Sequence, residues 1–416
     1  MPSGRVVVIG GGVVGACCAY YLAKAGRPVL ILDRGQFGAG CSHANCGYVC
    51  PSHVLPLAVP GAMWSTLKTL FQRNSPLKVR PGVVLSNLGW FLGFARRCNE
   101  PDMMKAGRGI QALLQSSRQL FDELISKEAI ECEWETKGLL FVFRTEKQFE
   151  HYAHTDELLR KHFGMPARRL DSSELAVLEP ALKSGMAGGY LYESDGHLKP
   201  DRLMTELKRV LLSLGVAIQE KCEVLGITKS KVGVTAVRTA TGEITGDQFV
   251  LATGAWTPLL NQELGCRVPI QPGKGYSVTM PRPALCPTYP LIFEEHRVAV
   301  TPFRSGYRLG STMEFAGYDD SLNRSRIGLL TYAAKLYLRD PLAEPVLEEW
   351  WGWRPMTFDG LPIIDRAPVG GNVLIAAGHN MLGLSMATAT GKLVAEMLTG
   401  ASPNVDPSPY SLKRFQ

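Results

Sequence analysis

Two groups of residues have types and spacings suited to chemistry. Near the start, Gly10, Gly12, Val13, Val14 and Gly15 form a Gly-x-Gly-x-x-Gly turn after an apolar run, and a second apolar run ends at Asp33-Arg34. Between them, 16–25 has helical character. Strand, glycine turn, helix, strand and acid in that order suit a dinucleotide. Gly10 permits the tight turn, Gly12 lets a pyrophosphate approach the backbone, and Gly15 lets the helix pack on its strand. The helix start offers unpaired N–H groups and a positive dipole end to phosphates. Asp33 then reaches a ribose hydroxyl. On this evidence NAD and FAD are both compatible. Near the other end, Arg354 opens Arg354-Pro355-Met356-Thr357 ahead of Asp359-Gly360, and Gly378-His379 precedes Gly383. A guanidinium grips a carboxylate through two parallel bonds and stays charged. The alternative for Arg354 is a structural pair with Asp359.

The elements that must position these groups follow from periodicity. The stretch 35–47 is small, polar and glycine-rich, which suits a loop over a ligand. Residues 51–97 are Pro-rich, then apolar and basic together, with Met63, Trp64, Leu67, Lys68, Leu70, Phe71 and Arg73 followed by Leu85, Leu88, Trp90 and Arg96-Arg97. Two readings fit: helices packed over a site, or an amphipathic face lying on anionic lipid. An apolar stripe predicts a helix over 107–130, and further helices fall at 146–162, 201–214 and 326–338. Strands are expected at 138–143, 188–192, 216–218, 249–251 and 373–377, with turns at Thr241-Gly242 and Ser305-Gly306. Nucleotide-fold pieces recur near 1–50, 200–265 and 350–400. The chain is expected to leave one domain (1–85, 197–267 and 349–416) for a second (86–196 and 268–348) and return.

With 416 residues, 45% hydrophobic and 20% charged, the chain is long enough for two globular cores. The net charge of +7 comes without a dense Lys/Arg run, which points away from nucleic acid. Ten cysteines without a Cys-x-x-Cys pair suit a reduced, cytoplasmic setting. The apolar start is accounted for by the nucleotide fold rather than a signal peptide. No apolar run reaches the roughly eighteen residues of a membrane span. Cys41, Cys46, Cys50, His43 and His53 match no zinc spacing, so no metal is expected.

Taken together, the chain resembles the D-amino-acid oxidase superfamily of flavoproteins, most of all its bacterial D-amino-acid dehydrogenase small-subunit branch. The residues that carry this are the glycine turn with Asp33-Arg34, Ser42-x-Ala44-Asn45-x-Gly47, Pro56-Leu57-Ala58-x-Pro60-Gly61, Lys274-Gly275-Tyr276-Ser277, the Arg354–Gly360 block and Gly378-His379-x-x-x-Gly383. The resemblance implies an α/β (α+β two-domain) protein: an FAD-binding Rossmann-like domain of glutathione-reductase type with an inserted antiparallel-sheet substrate domain. A single dinucleotide fingerprint agrees with FAD alone. By resemblance, Ser42, His43, Ala44, Asn45 and Gly47 lie along the pyrophosphate and flavin, and Val224 meets adenine. Ala252, Thr253, Gly254 and Trp256 follow a second contacting strand, while Gly378, His379, Leu382, Gly383, Leu384 and Ser385 meet the ring. Arg354 would anchor a substrate carboxylate, with Tyr276 and His53 as further substrate contacts. Dimethylglycine-dehydrogenase relatives bond FAD covalently to a histidine in a setting like that of His43; noncovalent FAD is the expectation here. The implied reaction is oxidative deamination of a D-amino acid, including D-proline or hydroxy-D-proline, by hydride transfer from Cα. No protein base is required, and electrons pass to a quinone or other respiratory acceptor at the membrane. The alternatives are an oxygen-using glycine/sarcosine-type oxidase and the flavin subunit of a heteromeric opine or glycine dehydrogenase.

Overall fold

A computed structural model describes residues 4–62, 75–231 and 233–415. Met63, Trp64, Leu67, Lys68, Leu70, Phe71 and Arg73 of the expected amphipathic stretch lie outside the described residues. The first strand, Val6–Ile9, is apolar at every position because both its faces are covered. It lies inside a six-stranded sheet ordered Ile363–Arg366, Val373–Ala377, Gln248–Leu251, Val6–Ile9, Val29–Leu32 and Ala217–Gln219. All neighbours run parallel except Ile363–Arg366 against Val373–Ala377. The nucleotide-fold pieces therefore meet in one sheet although they lie far apart in the chain.

Helix Val13–Lys24 is rich in Ala and Cys and is buried along most of its length, so small side chains fit it. It crosses helix Ala387–Thr399 closely: a Cβ on Gly391 would come within 2.5 Å of the Cys17 carbonyl carbon. The long helix Glu100–Lys127 packs on the same helix, with Ser117 and Thr388 hydroxyls 2.6 Å apart. It begins earlier than the apolar stripe at 107. Asn99 caps it by accepting from the Asp102 N–H (3.0 Å), and Pro101 is tolerated in a first turn.

The second, nine-stranded sheet runs Glu348–Thr357, Ile270–Met280, Gly306–Phe315, Val298–Phe303, Leu291–Phe293, Leu139–Phe143, Gly188–Tyr192 and Arg168–Asp171, with Leu77–Val79 also on Gly306–Phe315. Most of its pairs are antiparallel; Leu291–Phe293 with Leu139–Phe143 and Leu77–Val79 with Gly306–Phe315 are parallel. By their hydrogen bonds, 77–79 and 348–357 belong to this sheet, whereas boundaries at 85 and 349 would put nearly all of them with the nucleotide fold. Helix Arg324–Tyr337 covers one face of this sheet, and the other faces a cavity.

Helix Leu88–Arg97 is two-sided. Trp90 is buried and its indole N–H donates to the Pro269 and Met356 carbonyls (both 3.2 Å), while Leu88 and Leu92, one turn apart, face outward. Leu85, just before it, is 78% exposed.

Candidate active site

A continuous cavity of about 2000 Å³ runs from the glycine turn to the nine-stranded sheet. A single small-molecule pocket occupies roughly 300–1,000 Å³. The space therefore takes an extended ligand and a second, smaller one.

At its nucleotide end, side chains are excluded by geometry. Gly10 has φ 107°, and a Cβ there would meet the Ala252 carbonyl oxygen at 2.4 Å; one on Gly15 would meet the Gly10 oxygen at 1.9 Å. The Val13 N–H donates to Ser42 Oγ (2.9 Å), which ties the 42–47 loop to the helix start. Asp33 accepts from the N–H groups of Gly11 and Gly35, both at 2.7 Å, one on each oxygen. Each carboxylate oxygen keeps a second lone pair for a hydroxyl. The Arg34 guanidinium lies 5.1 Å from the Trp256 ring, and with Val224 these side chains line that end. Thr253 joins its hydroxyl to that of Thr257 (2.9 Å), and Ala252, Thr253 and Gly254 all line the cavity.

The loop from Ser42 is fastened to the nine-stranded sheet and to the turn that precedes helix Ala387–Thr399. Asn45 Oδ1 accepts the Gly47 N–H (2.8 Å), Arg308 donates to the Asn45 carbonyl (2.9 Å), and Ser277 Oγ donates to that of Ala44 (2.8 Å). Ser385 Oγ donates to the Tyr48 carbonyl (2.8 Å) and accepts the Cys50 N–H (3.3 Å), bringing the 382–385 turn against the same loop. His43 does not join the cavity wall. Its ring is half-exposed and Nε2 lies 2.7 Å from Glu348 Oε1, a bond that raises its pKa. The expected cofactor contact of that side chain, and with it a covalent link there, has no support in this placement. His379 is buried and held neutral, its pKa lowered to about 3 by burial, with Nε2 3.0 Å from Thr390 Oγ1. Gly378, at φ 80°, packs against Thr357 rather than lining the cavity.

At the sheet end, Arg354 lies opposite Gly273, and its guanidinium lies along Gly275. A Cβ on Gly275 would approach Cζ and Nη1 to 2.4 Å. Nη1 donates to the Thr312 carbonyl (2.8 Å), and among the described residues no carboxylate pairs with Arg354. Asp359, the alternative partner, binds Arg414 at 2.7 Å. Ser311 and Thr312 have φ of 98° and 50°, a left-handed bulge uncommon for non-glycine residues, and it turns that carbonyl toward Arg354. Tyr276 borders the cavity beside Gly275, but its hydroxyl is engaged within the protein, donating to Glu314 Oε2 (2.7 Å). A mid-strand glycine signals close backbone approach, so Gly275 was readable; the bulge was not.

His53 lines the cavity beside Phe141, ring centroids 5.6 Å apart, and burial lowers its pKa to about 4. Ser52 Oγ is 3.2 Å from His53 Nδ1 and donates to Asp195 Oδ2 (2.5 Å), and the Ser52 N–H donates to Oδ1 (3.1 Å). Asp195 is fully buried and its pKa is pushed up to about 7 by that burial. Sequence reading missed Asp195. Cys50, His53 and Asp195 converge to within 4.8 Å. Both Asp195 oxygens accept from Ser52, and burial holds the Cys50 thiol protonated, so hydrogen bonds join Ser52 and Asp195 at the centre of this cluster.

A family model described as FAD dependent oxidoreductase matches residues 5–397. The chain belongs to this family of FAD-dependent oxidoreductases. It is 31% identical over 417 residues to a D-amino acid dehydrogenase of Granulibacter bethesdensis, covering 99% of each chain. It is 33% identical over 419 residues to a D-amino acid dehydrogenase of Methylobacterium nodulans, again covering 99% of each. A glycine oxidase structure from Geobacillus kaustophilus shares the fold with a TM-score of 0.78 and 23% identity, covering 99% of both chains. The cavity fits FAD on its own terms, because the glycines leave backbone bare where phosphates sit and Asp33 keeps free lone pairs. As a flavin enzyme, the chain would hold the ADP half with the Gly10–Gly15 turn and Asp33, and the ring between the Ala44–Tyr48 and Leu382–Ser385 segments.

Proposed function

We propose that this chain oxidises D-amino acids to 2-oxo acids and passes the electrons to a quinone-type acceptor. The observation that carries the reading is Arg354: a guanidinium at the wall of the FAD cavity, seated on Gly275 and without a carboxylate partner among the described residues. A half-buried cation at a cavity wall calls for a counter-charge, and a substrate carboxylate supplies one. FAD, when bound, supplies the hydride acceptor. The protein's part is positioning: Arg354 fixes the acid group, the bulge carbonyl fixes Arg354, and the apolar wall excludes water. The full-length likeness to D-amino acid dehydrogenases supports the D-series over the oxygen-using oxidases. The six-stranded sheet with its helices serves as the cofactor domain and the nine-stranded sheet as the substrate domain. Leu85, Leu88 and Leu92, next to Arg96 and Arg97, support a cytoplasmic-face membrane contact through which a quinone reaches the cavity. No described helix is long and apolar enough to cross a membrane.

The test is anaerobic mixing of the yellow protein with D- and L-amino acids, proline isomers and sarcosine while the flavin band is followed. Bleaching by D-amino acids, with reoxidation faster by a quinone analogue than by oxygen, is expected. No bleaching by any amine would end the reading. Flotation with anionic vesicles tests the membrane face.

A further inference from the structure

An amine gives up the hydride on Cα only when its nitrogen lone pair is free, whereas an amino acid arrives as an ammonium. A group in the cavity that takes this proton lets the abundant ammonium form react, rather than the small free-amine fraction alone. Arg354 is a fixed cation and cannot. The thiols of Cys41, Cys46 and Cys50 are held protonated by burial.

We infer that His53 takes the substrate ammonium proton on Nε2 and passes a proton through Ser52 to Asp195, an inference that rests on the amine-oxidising reading above. The geometry sets the direction. Strand Tyr48–Val49 pairs with Gly196–His197, which fixes the 50–53 loop against the turn that carries Asp195. Ser52 directs its hydroxyl proton at Asp195, so its oxygen accepts from Nδ1–H of His53. That assignment leaves the Nε2 lone pair of a cavity-lining ring available. In the transfer, the substrate N–H bond breaks and an Nε2–H bond forms. Nδ1 then gives its proton to Ser52 Oγ as Ser52 gives its own to Asp195. The substrate is left as a neutral amine, His53 as the other neutral tautomer, and Asp195 as a neutral acid. The reverse path returns the proton after product leaves.

The pKa directions agree: burial disfavours a lasting imidazolium at His53 and favours a protonated Asp195. Arg297, on the turn before Val298–Phe303, acts on His53 electrostatically and Cys50 lies on its own loop, while Tyr152 on helix Glu146–Phe163, Tyr192, Glu294 and Glu295 line the same cavity. Tyr152 is held protonated by burial, and Cys50 likewise. Glu294 is the rival acceptor: Oε1 is paired with Arg297 (2.6 Å) and Oε2 is buried without a partner, and among the described residues no hydrogen bond leads onward from it.

The test is the pH dependence of anaerobic flavin reduction by a D-amino acid in wild type, His53→Gln, Ser52→Ala and Glu294→Gln. A positioned base contributes about 10²–10⁴-fold. His53→Gln should lose ~100-fold or more near neutral pH and regain rate where the substrate ammonium deprotonates in solution. Ser52→Ala should show a smaller loss with the same recovery, and it carries the test if His53→Gln does not retain FAD. Binding of a simple carboxylate without an amine, read from the flavin spectrum, should not change. In ¹⁵N-histidine spectra of the eight histidines, the resonances lost in His53→Gln should report an Nδ1-protonated ring. A loss equal at all pH, a pH-selective loss in Glu294→Gln instead, or an Nε2-protonated ring would overturn the relay. If no amine reduces the wild-type flavin, the proposed function itself fails.

Discussion

Replacing Gly275 with alanine tests the seat of Arg354 without touching the charge. Gly275 is not among the left-handed glycines, so alanine accepts its backbone. The new Cβ would lie 2.4 Å from Cζ and Nη1 of Arg354, whereas carbon contacts need about 3.5 Å. The guanidinium must therefore move by about 1 Å, and the cavity gives it room to swing without disturbing the sheet. A displacement of that size breaks one of two charge-assisted hydrogen bonds to a carboxylate, worth ~1.5–3 kcal/mol. At about 1.4 kcal/mol per decade, kcat/KM should fall about 10–100-fold, mainly through KM. Anaerobic flavin reduction over a substrate series measures this, with flavin absorbance and thermal unfolding as controls for cofactor and fold. The effect should vanish in an Arg354→Ala background, because the two changes act on one contact. A kcat/KM within twofold of wild type, or a full additional loss in the Arg354→Ala background, would refute the assignment of Arg354 as the acid anchor.

Three further outcomes follow from the same geometry. Tyr276→Phe removes the donor to buried Glu314, so stability should drop by ~1–3 kcal/mol while KM stays within about twofold; a large KM change would return Tyr276 to the substrate site. Asp195 has a folded pKa of about 7 against 3.8 for the free side chain, so ionising it opposes folding. The stability of wild type relative to Asp195→Asn should be greatest below pH ~4 and decline by up to about 4 kcal/mol toward pH ~7. Denaturant midpoints across that window check the sign, and a gap that widens in favour of wild type contradicts it. His43 lies outside the cavity wall, so acid precipitation should release the yellow cofactor into the supernatant, and His43→Ala should keep FAD; colour retained in the pellet would contradict this.

The elements that repeat a period were readable from sequence. The glycine turn, the buried Val6–Ile9 strand and the stripe of helix Glu100–Lys127 follow from spacing and apolar pattern alone. Strand Glu348–Thr357 was not read as a strand, although Arg354 on it was. It sits at the sheet edge, where Pro355 is tolerated, and its tryptophans and glycine break any alternation. Its pairing with Ile270–Met280, and so the seat on Gly275, depends on contacts distant in sequence. For Tyr276 the direction follows from its neighbour: residues alternate along a strand, so with Gly275 under the guanidinium the tyrosine ring turns to the other face, toward Glu314. His43 shows the limit of such reading in loops, where position in the chain does not set direction. Asp195 carries no local signal. Only the pairing of Tyr48–Val49 with Gly196–His197 brings it under Ser52.

The order of strands in the cofactor sheet also governs how this protein is made. Strand Gln248–Leu251 stands between Val6–Ile9 and Val373–Ala377, so the first strand has its early partner in Val29–Leu32 but waits on its other edge for a strand that leaves the ribosome much later. Such long-range pairing slows folding and leaves apolar strand edges exposed in the meantime. FAD cannot serve as an early clamp, because the walls of its site are complete only after the Leu382–Ser385 segment has arrived. A chain cut short before residue 373 keeps the whole glycine turn and lacks the fold that gives it a purpose. For such fragments, aggregation or proteolysis is the expected fate.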